Sequence, residues 1–180
     1  AYDAIANEYD QYSKTRIRYL DSIDNILIQQ INCNTDILDV GGGDGRRLKK
    51  IRNHKNLNRC IIVEPSLGMS KKIVLDKKMS VINCLAEDLD KYKIGLFDNI
   101  LLLWNVLGHI ENTELRIKSL INIKNKLKPG GKVFIDINNR HNSSSYGKFK
   151  VFFRVINDFF MFNEKNGDAN YNWKIGDKEY

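Results

Sequence analysis

The chain has 180 residues, 42% of them hydrophobic and 28% charged, and a formal net charge of +7. That balance suits one globular domain with its own core and excludes a disordered or low-complexity chain. No apolar run reaches the roughly 18 residues of a membrane-spanning helix, so no membrane partner is expected. Tyr2, Ala6, Tyr9 and Tyr12 recur near helical spacing. Ile17, Leu20, Ile23, Ile26, Leu27 and Ile31 then form the core-facing stripe of a helix over 16–31. Ile37–Val40 is a short apolar run of the kind a buried parallel strand shows. It opens into four glycines within five positions, Gly41, Gly42, Gly43 and Gly45, and then into a helical pattern carried by Leu48 and Ile51.

Strand, glycine turn and helix begin a nucleotide-binding βα unit. Glycine lets the backbone approach a ligand where a Cβ would block it, and the helix start presents unpaired N–H groups. The dinucleotide fingerprint G-x-G-x-x-G fails in both registers, because its sixth place holds Arg46 or Leu48. The pattern present is acid-x-G-x-G-x-G, from Asp39 to Gly45. It resembles motif I of class I S-adenosylmethionine-dependent methyltransferases, small-molecule branch. The resemblance implies an α/β, Rossmann-like fold with a mostly parallel sheet and helices on both faces. It also implies a loop of Asp39, Gly41, Gly42 and Gly43 that holds the methionine half of the cofactor. Tyr2, Asp3, Ala6, Tyr9 and Asp10 match the family's segment that folds over the cofactor, which makes Tyr9 a candidate contact. Arg16 is the candidate partner for the cofactor carboxylate, with Arg18 as competitor.

Cys60–Glu64 reads as a second buried strand ending in an acid. A carboxylate at that tip can accept both ribose hydroxyls. Pro65 and Met69 match the family's following run, and Ser66 suits a helix cap. Ser80–Leu85 reads as a third strand, followed by Ala86 and Glu87 in the loop where relatives read the adenine. The Gly-Asp that usually precedes that loop is replaced by Cys84 and Leu85. Phe97–Trp104 is the fourth strand, with Leu103 and Trp104 at its cofactor-facing tip. His109 follows in a run similar to the family's; it can act as general base, orient the acceptor, or simply pack in the loop. Leu115 to Leu127 carries a helical stripe, and Leu127-Lys128-Pro129-Gly130-Gly131 ends that helix and leads into a fifth strand.

Asn139, Arg140 and His141 lie in a polar loop on the ligand side. From Tyr146 to Phe162 the spacing predicts one amphipathic helix, its phenylalanines packed in the core or lining a lid. Residues 173–180 suggest a strand entering a Gly-Asp hairpin. The whole, 1–180, is expected to be a single domain: a helical cap (1–35), a cofactor-binding core (36–138) and a substrate-side helix and hairpin (139–180). Relatives continue with another helix and two strands, so a C-terminally incomplete chain is expected. Ala1 in place of Met points to a fragment or trimmed start.

Cys33, Cys60 and Cys84 lack metal spacing. An odd count beside apolar strands suggests reduced thiols in a cytoplasmic protein. Arg46, Arg47, Lys49, Lys50 and Arg52 fit the solvated face of one helix. The lysines are otherwise scattered, so a nucleic-acid partner is disfavoured but left open. The expected activity is methyl transfer from S-adenosylmethionine to N or O of a small molecule. The alternatives are a non-catalytic cofactor-binding module in a complex, or an RNA methyltransferase. No metal is called for, and the oligomeric state is not readable.

Overall fold

The computed structural model describes residues 2–161, Asn163, and the backbone of Lys174–Ile175 and Lys178–Glu179. Its centre is a parallel sheet of β1 (Ile37–Val40), β2 (Cys60–Val63), β3 (Met79–Ile82), β4 (Phe97–Leu102) and β5 (Leu127–Ile135), in the order β3-β2-β1-β4-β5. A parallel sheet must be covered on both faces, and alternation along each strand supplies the two apolar layers. Ile37, Ile62 and Leu101 pack with Leu27 of α3 (Ile17–Gln30), with Ile31 just past its end, and with Leu48 and Ile51 of α4 (Arg46–His54). Leu38, Val40, Ile100 and Leu102 pack on the other face with Leu89 and Ile123. The second layer is built by a 3-10 segment, Ala86–Lys91, and by α7 (Thr113–Asn125). Short helices α1 (Tyr2–Ile5) and α2 (Tyr9–Lys14) precede α3. Helices α5 (Leu67–Ser70) and α6 (Val106–His109) follow the tips of β2 and β4.

Glycine punctuation and apolar runs place the inner strands where the sequence predicts them. Four differences have physical reasons. β3 stops at Ile82, so Cys84 and Leu85 lie beyond it. β4 stops at Leu102 because Trp104 and Asn105 turn left-handed, at φ 70° and 57°. β5 already begins at Leu127: its register against β4 jumps from Phe97↔Leu127 to Asn99↔Lys132, so Pro129, Gly130 and Gly131 form a bulge inside the strand. Helix α7 turns Ser119 and Asn122 inward beside Ile123 and leaves Ile117 and Ile121 exposed. The Asn122 amide explains this, because it donates to the carbonyls of Ala86 (3.2 Å) and Glu87 (3.0 Å).

Past β5 the expected single helix is two, α8 (Ser143–Tyr146) and α9 (Lys148–Phe160), broken at Gly147 with φ 84°. Its phenylalanines are not in the core: Phe149, Phe152, Phe153, Phe159 and Phe160 are all exposed. A two-stranded antiparallel ribbon, β6 (Lys174–Ile175) and β7 (Lys178–Glu179), flanks the predicted Gly-Asp turn. The turn residues, with Phe162, Trp173 and Tyr180, lie outside the described residues.

Candidate functional site

The sheet order changes direction between β1 and β4, where the crevice of an open α/β sheet forms. The loops that leave these strands touch: a Cβ on Gly41 would lie 2.4 Å from Cγ2 of Val106, and φ is 70° there. Only glycine fits both the conformation and the space.

Two acids stand on the sheet side of this loop. Glu64, buried at the tip of β2, accepts from the Gly43 N–H at 2.8 Å and the Ser66 N–H at 2.9 Å. Burial pushes its pKa up, and the two amides pull it back. Asp39 lies within β1, beneath Gly42, and its Oδ2 is buried with no hydrogen-bond partner. Burial pushes its pKa up to about 6, against the pull of the Arg47 guanidinium. A buried carboxylate oxygen left open is costly in a closed core and is the natural seat for a cationic or hydroxyl-bearing ligand. Met69 is fully buried, its Cε against Gly43. Ser66 caps α5 by accepting from the Met69 N–H, as the sequence suggests.

The N-terminal segment reaches the loops that leave β1, β2 and β4. Asp3 accepts from the Ser66 hydroxyl and the Gly68 N–H, both at 2.7 Å. Arg46, just past the glycine turn, bonds Asp10 and Asp44 and donates to the Ser13 hydroxyl at 2.6 Å. Its guanidinium lies 5.2 Å from the centre of the Tyr9 ring, and burial raises the Tyr9 phenol to about 12. The Tyr2 hydroxyl lies 3.2 Å from Nε2 of His109. The His109 ring keeps an exposed edge, yet desolvation of the remainder lowers its pKa below the ordinary imidazole value. Trp104 stands between Tyr12 and Tyr19, with ring centres 6.3 Å and 6.1 Å away.

A family model described as a methyltransferase domain matches residues 10–165. The chain belongs to this family. None of the curated proteins matches it. Among solved structures, DhpI bound to SAM and HEP superposes with a TM-score of 0.64 at 16% identity, over 98% of this chain and 74% of DhpI. A Haloferax volcanii protein solved with a methyltransferase activator gives 0.60 at 17%, over 74% of this chain and 58% of its own. The sugar N-methyltransferase KedS8 from Streptoalloteichus sp ATCC 53650 gives 0.57 at 18%, over 72% and 53%. The chain thus spans less than two thirds of the last two. At such identities the likeness shows the fold: a Rossmann-like, mostly parallel methyltransferase sheet.

The methyltransferase domain gathers most of the predicted site residues around one crevice. Asp39, Gly41, Gly42, Gly43, Glu64 and Met69 lie at the tips of β1 and β2, Trp104 just past the tip of β4, and Tyr9 and His109 where the N-terminal segment meets the loops. Leu103 is buried against the α3–α4 layer. Pro65 is exposed; Ala86 is buried and Glu87 half-buried in the 3-10 segment. Arg16 is the exposed residue before α3, Arg18 is exposed within it, and the guanidinium of Arg46 lies beside the glycine turn.

The basic face of α4 is docked in part, while Arg46 and Lys49 keep the exposure the sequence predicts. Arg47 pairs with Asp24 at 2.9 Å, Lys50 with Asp21 at 2.6 Å, and Arg52 with Asp76 at 2.6 Å. Arg140 and His141 both turn to Asp158 of α9, at 3.1 Å and 3.0 Å. Sequence reasoning missed Asp136. Its signal was available, since it is an acid at the C-terminal end of a parallel strand, as Glu64 is. None of the helices among the described residues is long and apolar enough to cross a membrane.

Proposed function

We propose that this domain binds S-adenosylmethionine in the β1–β4 crevice and passes its methyl group to a nitrogen or oxygen of a small molecule. The observation that carries the reading is the pair of acids around one glycine turn. Glu64 is held by the Gly43 and Ser66 amides, and Asp39 has an open, buried Oδ2. Both would face a ligand rich in hydroxyl and ammonium donors. Gly41, Gly42 and Gly43 form the cradle, Glu64 receives the ribose hydroxyls, and Asp39 faces the amino group. Met69, Pro65, Ala86 and Glu87 flank the base; Trp104 and Tyr9 enclose the remainder, with the buried Leu103 packed behind. Arg46 takes the place expected of Arg16 beside the carboxylate.

The cofactor supplies a methyl group already activated on a sulfonium. The chain's residues align the acceptor and exclude water. His109, kept neutral near pH 7 by its lowered pKa, takes the proton that a nitrogen or oxygen nucleophile sheds. Cytoplasmic residence belongs to the same reading, since Cys33, Cys60 and Cys84 are all free thiols.

Calorimetry with S-adenosylhomocysteine tests this. Micromolar binding to the wild-type chain, weakened about a hundredfold by Glu64→Ala, is expected where two charge-assisted contacts are lost. A chain that ignores this ligand at millimolar concentration refutes the reading. A second reading, a cofactor-binding module that works in a complex, draws on the exposed phenylalanines of α9 and on the neighbour solved with an activator. Turnover against an acceptor library separates the two: binding without turnover supports the module.

A further inference from the structure

Asp136 directly follows β5, and its carboxylate accepts three hydrogen bonds at the site's rim. The Trp104 N–H donates to Oδ2 at 2.9 Å, the Asn105 N–H to Oδ1 at 2.6 Å, and the Tyr19 hydroxyl to Oδ2 at 2.6 Å. Trp104 and Asn105 are consecutive non-glycine residues in left-handed backbone, at φ 70° and 57°. Side chains make that conformation unfavourable, and it persists only where the surroundings over-determine it. Two consecutive amides turned to one side make a small anion-binding concavity, and its anion is the Asp136 carboxylate. The same corner seats Val106 against Gly41 and begins the short helix that ends at His109. Asn105 also curls its amide over Gly108, where a Cβ would come within 2.4 Å of Nδ2.

The corner is tied to the cap from above. Tyr19 of α3 bonds the clamping carboxylate and packs on the Trp104 ring at 6.1 Å, and Tyr12 of α2 meets the same ring edge-on. We infer that Asp136 is a positioning residue of the transfer site. It fixes the Trp104–Asn105 corner in its left-handed form and, through Tyr19, makes that shape depend on the cap being docked. The inference rests on the methyltransferase reading, because it assigns the corner to the wall of the cofactor site. Asp136 touches no reacting atom in this scheme; it acts through the backbone it holds.

The test compares wild type, Asp136→Asn, Tyr19→Phe, Asn105→Gly and the double variant Asp136→Asn with Asn105→Gly. Each is measured for S-adenosylhomocysteine affinity by calorimetry and for thermal stability. The Asp136→Asn change keeps the size of the side chain but removes its charge, and one of the two acceptor atoms becomes a donor. Affinity should fall about tenfold or more in Asp136→Asn, which weakens all three bonds to the carboxylate, and about threefold in Tyr19→Phe, which leaves the two amide bonds in place. Glycine adopts the left-handed form at no steric cost, so the double variant should regain most of the affinity that Asp136→Asn loses. A purely structural role would lower the melting temperature and give no such rescue. Affinity within twofold of wild type in Asp136→Asn, or a double variant no better than it, overturns the inference. If Asp136→Asn does not fold, Tyr19→Phe and the double variant carry the same comparison.

If wild type itself ignores the ligand, the methyltransferase reading has failed, and the clamp is judged separately by hydrogen exchange. The Trp104 and Asn105 amides should then exchange at least about tenfold faster in Asp136→Asn, the cost of releasing a charge-assisted bond, and about threefold faster in Tyr19→Phe. Unchanged exchange means that there is no clamp.

Discussion

Phe97 and Phe159 are the same side chain in two regions of one molecule. Phe97 opens β4, is 0% exposed, and has the Arg59 guanidinium 4.4 Å above its ring. Phe159 lies on α9 and is 81% exposed. The inner strands β1, β2 and β4 have neighbours on both edges and layers on both faces, so every apolar residue they carry is enclosed. β5 is one of the sheet's two edge strands among the described residues, and its own Ile135 and the following Ile137 are exposed. Helix α9 has an equally strong amphipathic pattern but no layer of described residues to receive it. Periodicity therefore predicts that an element has an apolar face; whether that face is buried depends on what stands opposite.

The largest effect should come from truncating the enclosed ring. Phe97→Ala should cost about 3–5 kcal/mol in urea denaturation, the range for a buried aromatic, and it would also strip Arg59 of its stacking partner. Gly41→Ala comes next, at about 3 kcal/mol. The left-handed φ of 70° is unfavourable for alanine, and the added Cβ would meet Val106 at 2.4 Å. Gly130→Ala sharpens the comparison. Its φ is 75°, but nothing lies within 4 Å of the added atom, so only the backbone cost remains, about 1–2 kcal/mol. Equal losses at the two glycines would show that contact with Val106 does not constrain the glycine turn.

Asp39 gives the inner region a pH signature. Its folded pKa of about 6 lies above the ordinary carboxylate value of 3.8. A raised pKa means that the stabilising contribution is complete below about pH 4 and is lost as the pH rises through 6. For the chain without ligand, this group alone should remove on the order of 3 kcal/mol between pH 4 and pH 8. Asp39→Asn should flatten that slope. At pH 8 it should gain about 1–2 kcal/mol, less than the full shift because a buried polar atom remains. Its affinity for S-adenosylhomocysteine should fall at the same time. A variant whose pH profile parallels wild type would show that Asp39 is not the group that titrates.

What the sequence shows follows the same division. The strand–glycine–helix unit, the acid at Glu64, the Ser66 cap and the positions of the inner strands are local signals: short apolar runs, a turn that only glycine makes, an oxygen three residues ahead of an orphan N–H. Each is readable within a window of about ten residues. The interactions missed are between distant segments. Arg46 meets Asp10, Asp136 meets Trp104 and Tyr19, and Asn122 meets Ala86 and Glu87. Nothing near Arg46 in the sequence marks it out from Arg16, because a guanidinium is assigned by what faces it in the fold. The inward Asn122 defeats the helical stripe for a related reason: two carbonyls that need a donor outrank a row of isoleucines. The Pro-Gly-Gly of 129–131 signalled a stop, and the strand absorbed it as a bulge, because Leu127 had already found Phe97 across the sheet.

The smallest effect is expected on α9, and it tests the comparison from its other side. Phe159→Ser removes a ring that is 81% exposed, and Phe149→Ser one that is 84% exposed. Either change should leave stability within about 0.5 kcal/mol of wild type, as for surface positions with no special contact. Serine has a helix propensity close to that of phenylalanine, so the helix should persist. The contrast with Phe97→Ala would then be roughly tenfold in free energy for one residue type in one chain. A loss at Phe159 approaching that at Phe97 would mean that the α9 face is covered in solution. Such a loss should then depend on protein concentration if a second copy covers the face, and should be independent of it if the cover is intramolecular.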